Sequence, residues 1–327
     1  MSERFFIVGC GSIGQRHIHN LRALGARDIA AFDPCAERLT FVAQEYGVTP
    51  HASVEAGMAE RPEAVLICTP PYLHTSIAQQ AIDAGAHVFL EKPIANTLAG
   101  LDDLLCAVAE HRRVLYVAYN LRFHAGLRKL KELLDSGAIG KLLTIRAEVG
   151  QYLPDWRPTQ DYRQGYNVSA AWGGGIILDA SHELDYVRWL GGEVESVYCA
   201  ADHLSDLEMD VEDTAAITLR LSNRVIAEVH LDCVQRGYAR SCKLIGADGT
   251  LLWEFKEGVR HLLPDKTWHN YPIAPDVNEM YVAELRHFLA CVRGEEAPLV
   301  TGTDGKRVLE IALAARRSAQ MQQTIVV

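Results

Sequence analysis

One hexapeptide constrains this chain more than any other. Gly9-Cys10-Gly11-Ser12-Ile13-Gly14 follows directly on the apolar run Arg4–Val8. It opens a segment, Ile13–Leu24, whose inward positions (Ile13, His17, Leu21, Leu24) return at helical spacing and stop at Gly25. A strand that ends in glycines and feeds a helix turns sharply. At this spacing Gly9 permits the tight turn, Gly11 lets a ligand approach the backbone closely, and Gly14 allows strand–helix packing.

The same alternation continues. Apolar runs at Asp28–Phe32, Ala64–Cys68, His87–Leu90 and Val114–Ala118 are separated by helical segments at Ala36–Tyr46, Leu73–Ala84 and Leu98–Glu110. Short, uninterrupted apolar strands between helices predict a parallel sheet covered on both faces, a doubly wound α/β Rossmann domain over residues 1–120. With that context the glycine loop becomes a phosphate cradle. Ser12, Ile13 and Gly14 begin the helix, whose first N–H groups and positive dipole end suit a pyrophosphate. Asp33 ends the second strand 19 residues after Gly14, where a ribose-binding acid belongs. A carboxylate there accepts from ribose hydroxyls and repels a 2′-phosphate, which favours NAD over NADP. Two readings run against this: Asp33-Pro34 is also a turn starter, and Arg38 has the charge to meet a phosphate.

Past residue 120 the pattern changes. Ala125–Asp135 reads as a helix, Leu142–Val149 as a strand, and Ile176–Leu190 as one helix. From Val194 to about Tyr271 strands follow one another. Ile217, Leu219 and Leu221 alternate with polar partners, and past Asn223 so do Val225, Ala227, Val229 and Leu231, the mark of an antiparallel hairpin. Two helices close the chain, Val277–Val292 and Gly302–Ala319. Residues 121–327 are therefore expected to form an α+β domain with a mainly antiparallel open sheet. The second face of that sheet is mixed rather than polar, which predicts a homo-oligomer, a dimer or tetramer, built through it.

Composition narrows the partners. With 327 residues, 49% hydrophobic and 23% charged, the chain has material for two cores and is not disordered. A net charge of −10 disfavours nucleic acid. The eight cysteines are scattered without metal-ligand spacing, so no metal is expected and a reducing cytoplasm fits. The start MSERFFIVG is not a signal peptide, and no apolar run approaches the ~20 residues that span a bilayer.

Two groups carry chemistry. Glu91-Lys92-Pro93 follows a strand at the end of the sheet that faces the ligand crevice. Pro93 restricts the backbone of Lys92, and a partly desolvated lysine donates to a reacting oxygen. The plainer reading is a solvated loop charge. Asp179 and His182, three apart after Gly173-Gly174-Gly175, share a helical face, with Asp185 three further on. Histidine accepts protons near neutral pH, and a carboxylate orients it. The plainer reading is a first-turn acid and a satisfied core histidine. A third segment, 151–166, holds four aromatics in 16 residues (Tyr152, Trp156, Tyr162, Tyr166) with Arg157 and Arg163 among them. Aromatic faces stack on sugars, and arginine forks bind carboxylate or phosphate. This points to an anionic sugar, a nucleotide sugar or sugar acid; a structural loop or subunit contact fits the same residues.

These motifs together resemble the Gfo/Idh/MocA oxidoreductases. The match runs nearly end to end: GCGSIG at 9–14, CTPPYLH at 68–74, EKP at 91–93, YNLRFH at 119–124, GGGIILDASHELD at 173–185 and AARRSAQ at 314–320. The resemblance implies a sugar dehydrogenase that moves a hydride between the cofactor and a hydroxyl or keto carbon. In it Lys92 hydrogen-bonds the reacting hydroxyl, His182 acts as acid and base, and Asp179 contacts substrate. It also implies that Thr69, Pro70, His74, Glu91 and Lys92 line the cofactor, and that Asn120 and Arg122 contribute to substrate binding. One departure stands out, since many members separate the aspartate and histidine by four positions. A non-catalytic NAD sensor and an enzyme that recycles bound NAD during glycoside cleavage remain the other readings.

Overall fold

A computed structural model describes residues 3–158, 160–273 and 276–327. The chain divides into two compact units. One comprises the residues up to Asn120 together with Asn278–Lys306, the other Leu121–Val277 with Arg307–Val327. The sequence pattern keeps 278–306 with the second half, whereas contacts group it with the first.

The first unit is the expected strand–helix alternation. Its elements are β1 (Arg4–Val8), α1 (Ser12–Ala23), β2 (Asp28–Phe32), α2 (Ala36–Tyr46), β3 (Thr49–Pro50), α3 (Val54–Ala59), β4 (Ala64–Ile67), α4 (His74–Asp83), β5 (His87–Glu91), α5 (Leu101–Glu110) and β6 (Leu115–Ala118). The six strands are parallel in the order β3-β2-β1-β4-β5-β6. Phe5 to Val8 and Ala64 to Ile67 are all buried, because helices cover both faces. Gly25, at φ +95°, ends α1: its N–H bonds Arg22 O while the Ala26 N–H bonds Leu21 O, a Schellman close. The two-residue β3 and the short α3 leave no clear period in the sequence.

The second unit holds α6 (Ala125–Asp135), β7 (Leu142–Gly150), α7 (Ile176–Asp179), α8 (His182–Gly191), β8 (Val194–Asp202), β9 (Thr214–Leu221), β10 (Ile226–Asp232), β11 (Ala239–Gly246), β12 (Thr250–Glu254), β13 (Gly258–Leu262) and β14 (Trp268–Tyr271). Next come α9 (Asn278–Val292) of the first unit, then α10 (Gly302–Met321) and β15 (Ile325–Val326). Nine strands form one sheet in the order β14-β13-β12-β11-β7-β10-β9-β8-β15. Among the described residues of this sheet only the central β7–β10 pair is parallel. In the hairpin Val229 faces Ile217 and Glu228 faces Thr218. The first pair is buried and the second exposed, as the alternation predicts.

One expectation fails here. Residues 176–190 are not one helix. The chain breaks at Ala180-Ser181, so Asp179 ends α7 and His182 opens α8. The three-residue spacing therefore does not place the two side chains on one continuous helical face. Among the described residues no helix is long and apolar enough to cross a membrane, and all eight cysteines are free.

Candidate functional site

In the first unit the glycine loop has the geometry its spacing requires. A Cβ on Gly9, at φ +98°, would lie 2.6 Å from the Cys68 carbonyl oxygen, and one on Gly14 would lie 2.0 Å from that of Gly9. A Cβ on Gly11 would meet nothing within 4 Å. Two glycines thus permit contact between strand and helix, and the third leaves open space over the backbone. Gly11 caps α1 without a side-chain bond, leaving the N–H groups of the exposed Ser12, the half-buried Ile13 and Gly14 for an anion. Burial, aided by Asp33, pushes the Cys10 thiol up to about 12, so no thiolate charge opposes a phosphate here.

Asp33 is buried at the end of β2. Its Oδ2 accepts the Cys10 N–H at 2.7 Å and its Oδ1 the Cys35 N–H at 2.8 Å. The acid therefore pins the glycine loop and starts the Pro34 turn at once. Both sequence readings of Asp33 describe it, and the remaining lone pairs fit ribose hydroxyls. Arg38 is exposed on α2. Thr69 and Pro70 are half-buried past β4, and the buried Thr69 Oγ1 has no hydrogen-bond partner among the described residues. An open cradle, an uncapped helix start and an unpartnered hydroxyl together fit a dinucleotide.

His74 sits elsewhere than a cofactor contact would. Its ring is fully buried, with Nδ1 2.8 Å from the Pro93 carbonyl and Nε2 2.8 Å from that of Thr69. Burial lowers its pKa, against those carbonyls and the nearby Glu91. Both nitrogens face backbone carbonyls rather than open space, and the ring ties the Thr69 turn to Pro93. Glu91 is likewise turned inward, onto His17. Lys92 is half-buried. Asn120 is buried and hydrogen-bonds Tyr281 of α9, whose hydroxyl burial holds neutral.

In the second unit the Gly173-Gly174-Gly175 loop is wrapped by the segment before it. The Gly174 N–H bonds Ser169 O and the Gly175 N–H bonds Asn167 O. A Cβ on Gly174 would lie 2.3 Å from Tyr166 O, and Gly175, at φ +100°, would drive one into Arg316 and Glu212. Glu212 then caps α7, its backbone and side-chain oxygens accepting the N–H groups of Ile176 and Ile177. The loop delivers Asp179, only 7% exposed, to two donors: the Tyr166 hydroxyl at 2.7 Å and the Asn167 side-chain amide. His182 follows on α8, half-buried. In the sequence Tyr166 stands out only as part of an aromatic run, and Asn167 not at all. The one signal for them is their place directly before the glycine loop.

The arginines are largely committed. Arg122 makes a bidentate pair with Asp185 (3.0 and 2.7 Å), both buried, and lies 5.7 Å from the Trp189 ring. Arg163 bridges Asp161 and Glu208. Arg240 pairs with the fully buried Glu183, and Arg316 with Glu212. Arg157 is exposed. Tyr152 carries the Arg236 guanidinium 3.5 Å from its ring centroid, the Trp156 indole N–H bonds Gln151 O, and the Tyr162 hydroxyl accepts the Glu208 N–H. Each of these three aromatics is engaged within the segment or by its neighbours. Among the described residues no cluster has the make-up of a metal site.

Comparison with known proteins adds to this geometry. Residues 3–119 match the profile of an oxidoreductase family with an NAD-binding Rossmann fold, and residues 127–252 match the GFO/IDH/MocA C-terminal domain. A myo-inositol 2-dehydrogenase of Thermotoga maritima is 30% identical, the alignment covering 98% of each chain. Among solved structures, the WlbA dehydrogenase of Bordetella pertussis, in complex with NADH and UDP-GlcNAcA, superposes with a TM-score of 0.87 at 24% identity, covering 100% of this chain and 98% of that one. A levoglucosan dehydrogenase in complex with NADH reaches 0.90 at 20% identity, covering 100% and 99%.

Proposed function

The chain belongs to the Gfo/Idh/MocA family of NAD-binding oxidoreductases, and from that premise we propose that it oxidises a secondary hydroxyl of a neutral, ring-shaped polyol. What carries the reading past the family is the state of the arginines. Arg122, Arg163, Arg240 and Arg316 each already face a carboxylate. An anionic sugar needs a free cationic fork. A neutral polyol needs hydroxyl-binding groups, and Tyr166, Asn167, Asp179 and His182 are of that kind. This weighs against the anionic preference that Arg163 suggests in the sequence, and leaves the exposed Arg157 as the cation an acidic substrate would need. The inositol dehydrogenase among the relatives supports the same class.

In this reading the roles divide cleanly. Ser12, Ile13 and Gly14 hold the pyrophosphate, and Asp33 holds a ribose and disfavours a 2′-phosphate, hence NAD. NAD, when bound, accepts the hydride. His182 takes the hydroxyl proton as base. Asp179, fixed by Tyr166 and Asn167, accepts from a substrate hydroxyl. Lys92 donates to the oxygen as negative charge develops on it. We further infer that a second copy of the chain covers the outer face of the nine-stranded sheet, where Tyr198 and Ile226 are exposed.

The test is the appearance of reduced nicotinamide with a panel of cyclic polyols, neutral sugars, uronic acids and nucleotide sugar acids. Neutral substrates should give the higher kcat/KM, with one NADH formed per product. Preference for an acid would refute the substrate class. Product without NADH would indicate internal recycling, and no turnover across the panel would indicate a sensor. Lys92→Ala should lower kcat by about 10²–10³-fold with NADH affinity nearly intact; turnover at the parent rate removes Lys92 from the chemistry.

A further inference from the structure

Lys92 lies in the chain between two residues that are each held by a buried imidazole. On one side, Glu91 Oε1 is 2.7 Å from His17 Nε2, while Glu91 Oε2 accepts the backbone N–H of Lys92 at 3.3 Å. On the other, the Pro93 carbonyl is 2.8 Å from His74 Nδ1, and His74 Nε2 is 2.8 Å from the Thr69 carbonyl. Both rings are 0% exposed. None of these contacts engages the ammonium group; all of them fix the backbone that carries it.

The anchors are not arbitrary. His17 is on α1, the helix whose first turn forms the phosphate cradle. His74 opens α4, directly after the Thr69-Pro70 turn. The two stretches that fit the dinucleotide are thus the two that grip Lys92 from either flank. A carboxylate only accepts, so His17 Nε2 donates to Glu91. Nδ1 has no hydrogen-bond partner among the described residues. The ring packs edgewise on Phe89 at 5.0 Å and Tyr281 at 6.4 Å. An apolar side chain in such surroundings would serve stability as well or better than a buried polar pair. A histidine here supplies direction instead.

We propose that His17 and His74 are positioning residues that hold Lys92 in register with the dinucleotide cradle, His17 through the Glu91 carboxylate and His74 through the Pro93 carbonyl. The proposal rests on the reading of Lys92 as the donor to the reacting oxygen. Its experiment separates the two.

Three variants decide it. His17→Phe and His74→Phe remove the polar contacts at similar volume, and His17→Gln restores an N–H donor near Nε2. Displacing a reacting group by about 1 Å costs about a hundredfold, so both Phe variants should lose between tenfold and a hundredfold in kcat. KM and NADH affinity should stay within about threefold, and His17→Gln should recover most of the loss. A second readout needs no turnover: trace acetylation of the cofactor-free chain, followed by peptide mass spectrometry. The labelling rate of Lys92 relative to the exposed Lys256 should change at least threefold in His17→Phe and return toward the parent value in His17→Gln. If His17→Phe leaves both kcat and Lys92 labelling unchanged, the clamp does not exist. If Phe and Gln at 17 lose equally, the hydrogen bond is not what positions the lysine. Should the parent chain oxidise no alcohol, the chemistry assigned to Lys92 fails while the labelling still decides the clamp.

Discussion

The Arg122–Asp185 pair separates a structural role from a binding role at a position the sequence offers to substrate. Replace Asp185 by Asn. The side-chain exposures are 4% and 1%, so the guanidinium cannot turn to water once its partner loses charge. Breaking a buried pair by removing one partner costs about 3–5 kcal/mol. For a unit of this size, each kcal/mol moves the midpoint by about 2–4 °C, giving a fall of roughly 6–20 °C. The double variant Arg122→Met, Asp185→Leu removes both charges and should recover most of the loss, since an apolar pair of similar volume is tolerated there. Thermal and urea unfolding of the parent, Asp185→Asn, the singles Arg122→Met and Asp185→Leu, and the double variant complete the cycle, with KM measured well below the midpoint. The reasoning is refuted if Asp185→Asn melts with the parent while KM rises, for then Arg122 faces substrate and not Asp185.

Other outcomes follow from single contacts. Gly14→Ala should weaken NADH binding at least tenfold and lower the melting midpoint, because its Cβ lies 2.0 Å from a backbone oxygen; Gly11→Ala, with open space around it, should weaken binding without lowering the midpoint of the free protein. Asp33→Asn removes the charge set against a 2′-phosphate and should shift the NADH/NADPH affinity ratio about tenfold toward NADPH, or about 1.4 kcal/mol, by fluorescence titration. His124 accepts the Gly126 N–H at Nδ1 and donates from Nε2 to Phe255 O. Burial, against that carbonyl, lowers its pKa from 6.5 to about 4. Between those values the unfolded chain holds a proton the folded chain lacks. Stability therefore falls as pH drops through this window, by about 3 kcal/mol in all, and levels below it. Urea melts from pH 7 to 4 should show that slope and its loss in His124→Gln.

The first 120 residues are legible in the sequence because both of their signals are local. Apolar runs such as Ala64–Ile67 and the glycine that closes α1 are set by neighbours a few residues away. The hairpin register from Thr214 to Asp232 is legible for the same reason. What escapes is set by distant partners. Asp179 is drawn to Tyr166 and Asn167, and Glu212 caps α7 from 35 residues on, so the helix breaks where periodicity runs straight through. Arg122 reads as a substrate cation in the sequence because its acid, Asp185, lies 63 residues on and no local pattern marks the two as partners. His74 is visible as a motif residue, but only coordinates show that both its nitrogens are used by carbonyls.

Each compact unit is assembled from two separated stretches of chain, and this governs the order of events during synthesis. The Rossmann sheet emerges early from the ribosome, yet its unit waits for α9, more than 150 residues later. The nine-stranded sheet gains its β15 edge only when Ile325–Val326 is made, more than 120 residues after its neighbour β8. Between β7 and α9 a nascent chain thus carries two unfinished cores, and a fragment ending at residue 120 lacks the Asn278–Lys306 part of its unit.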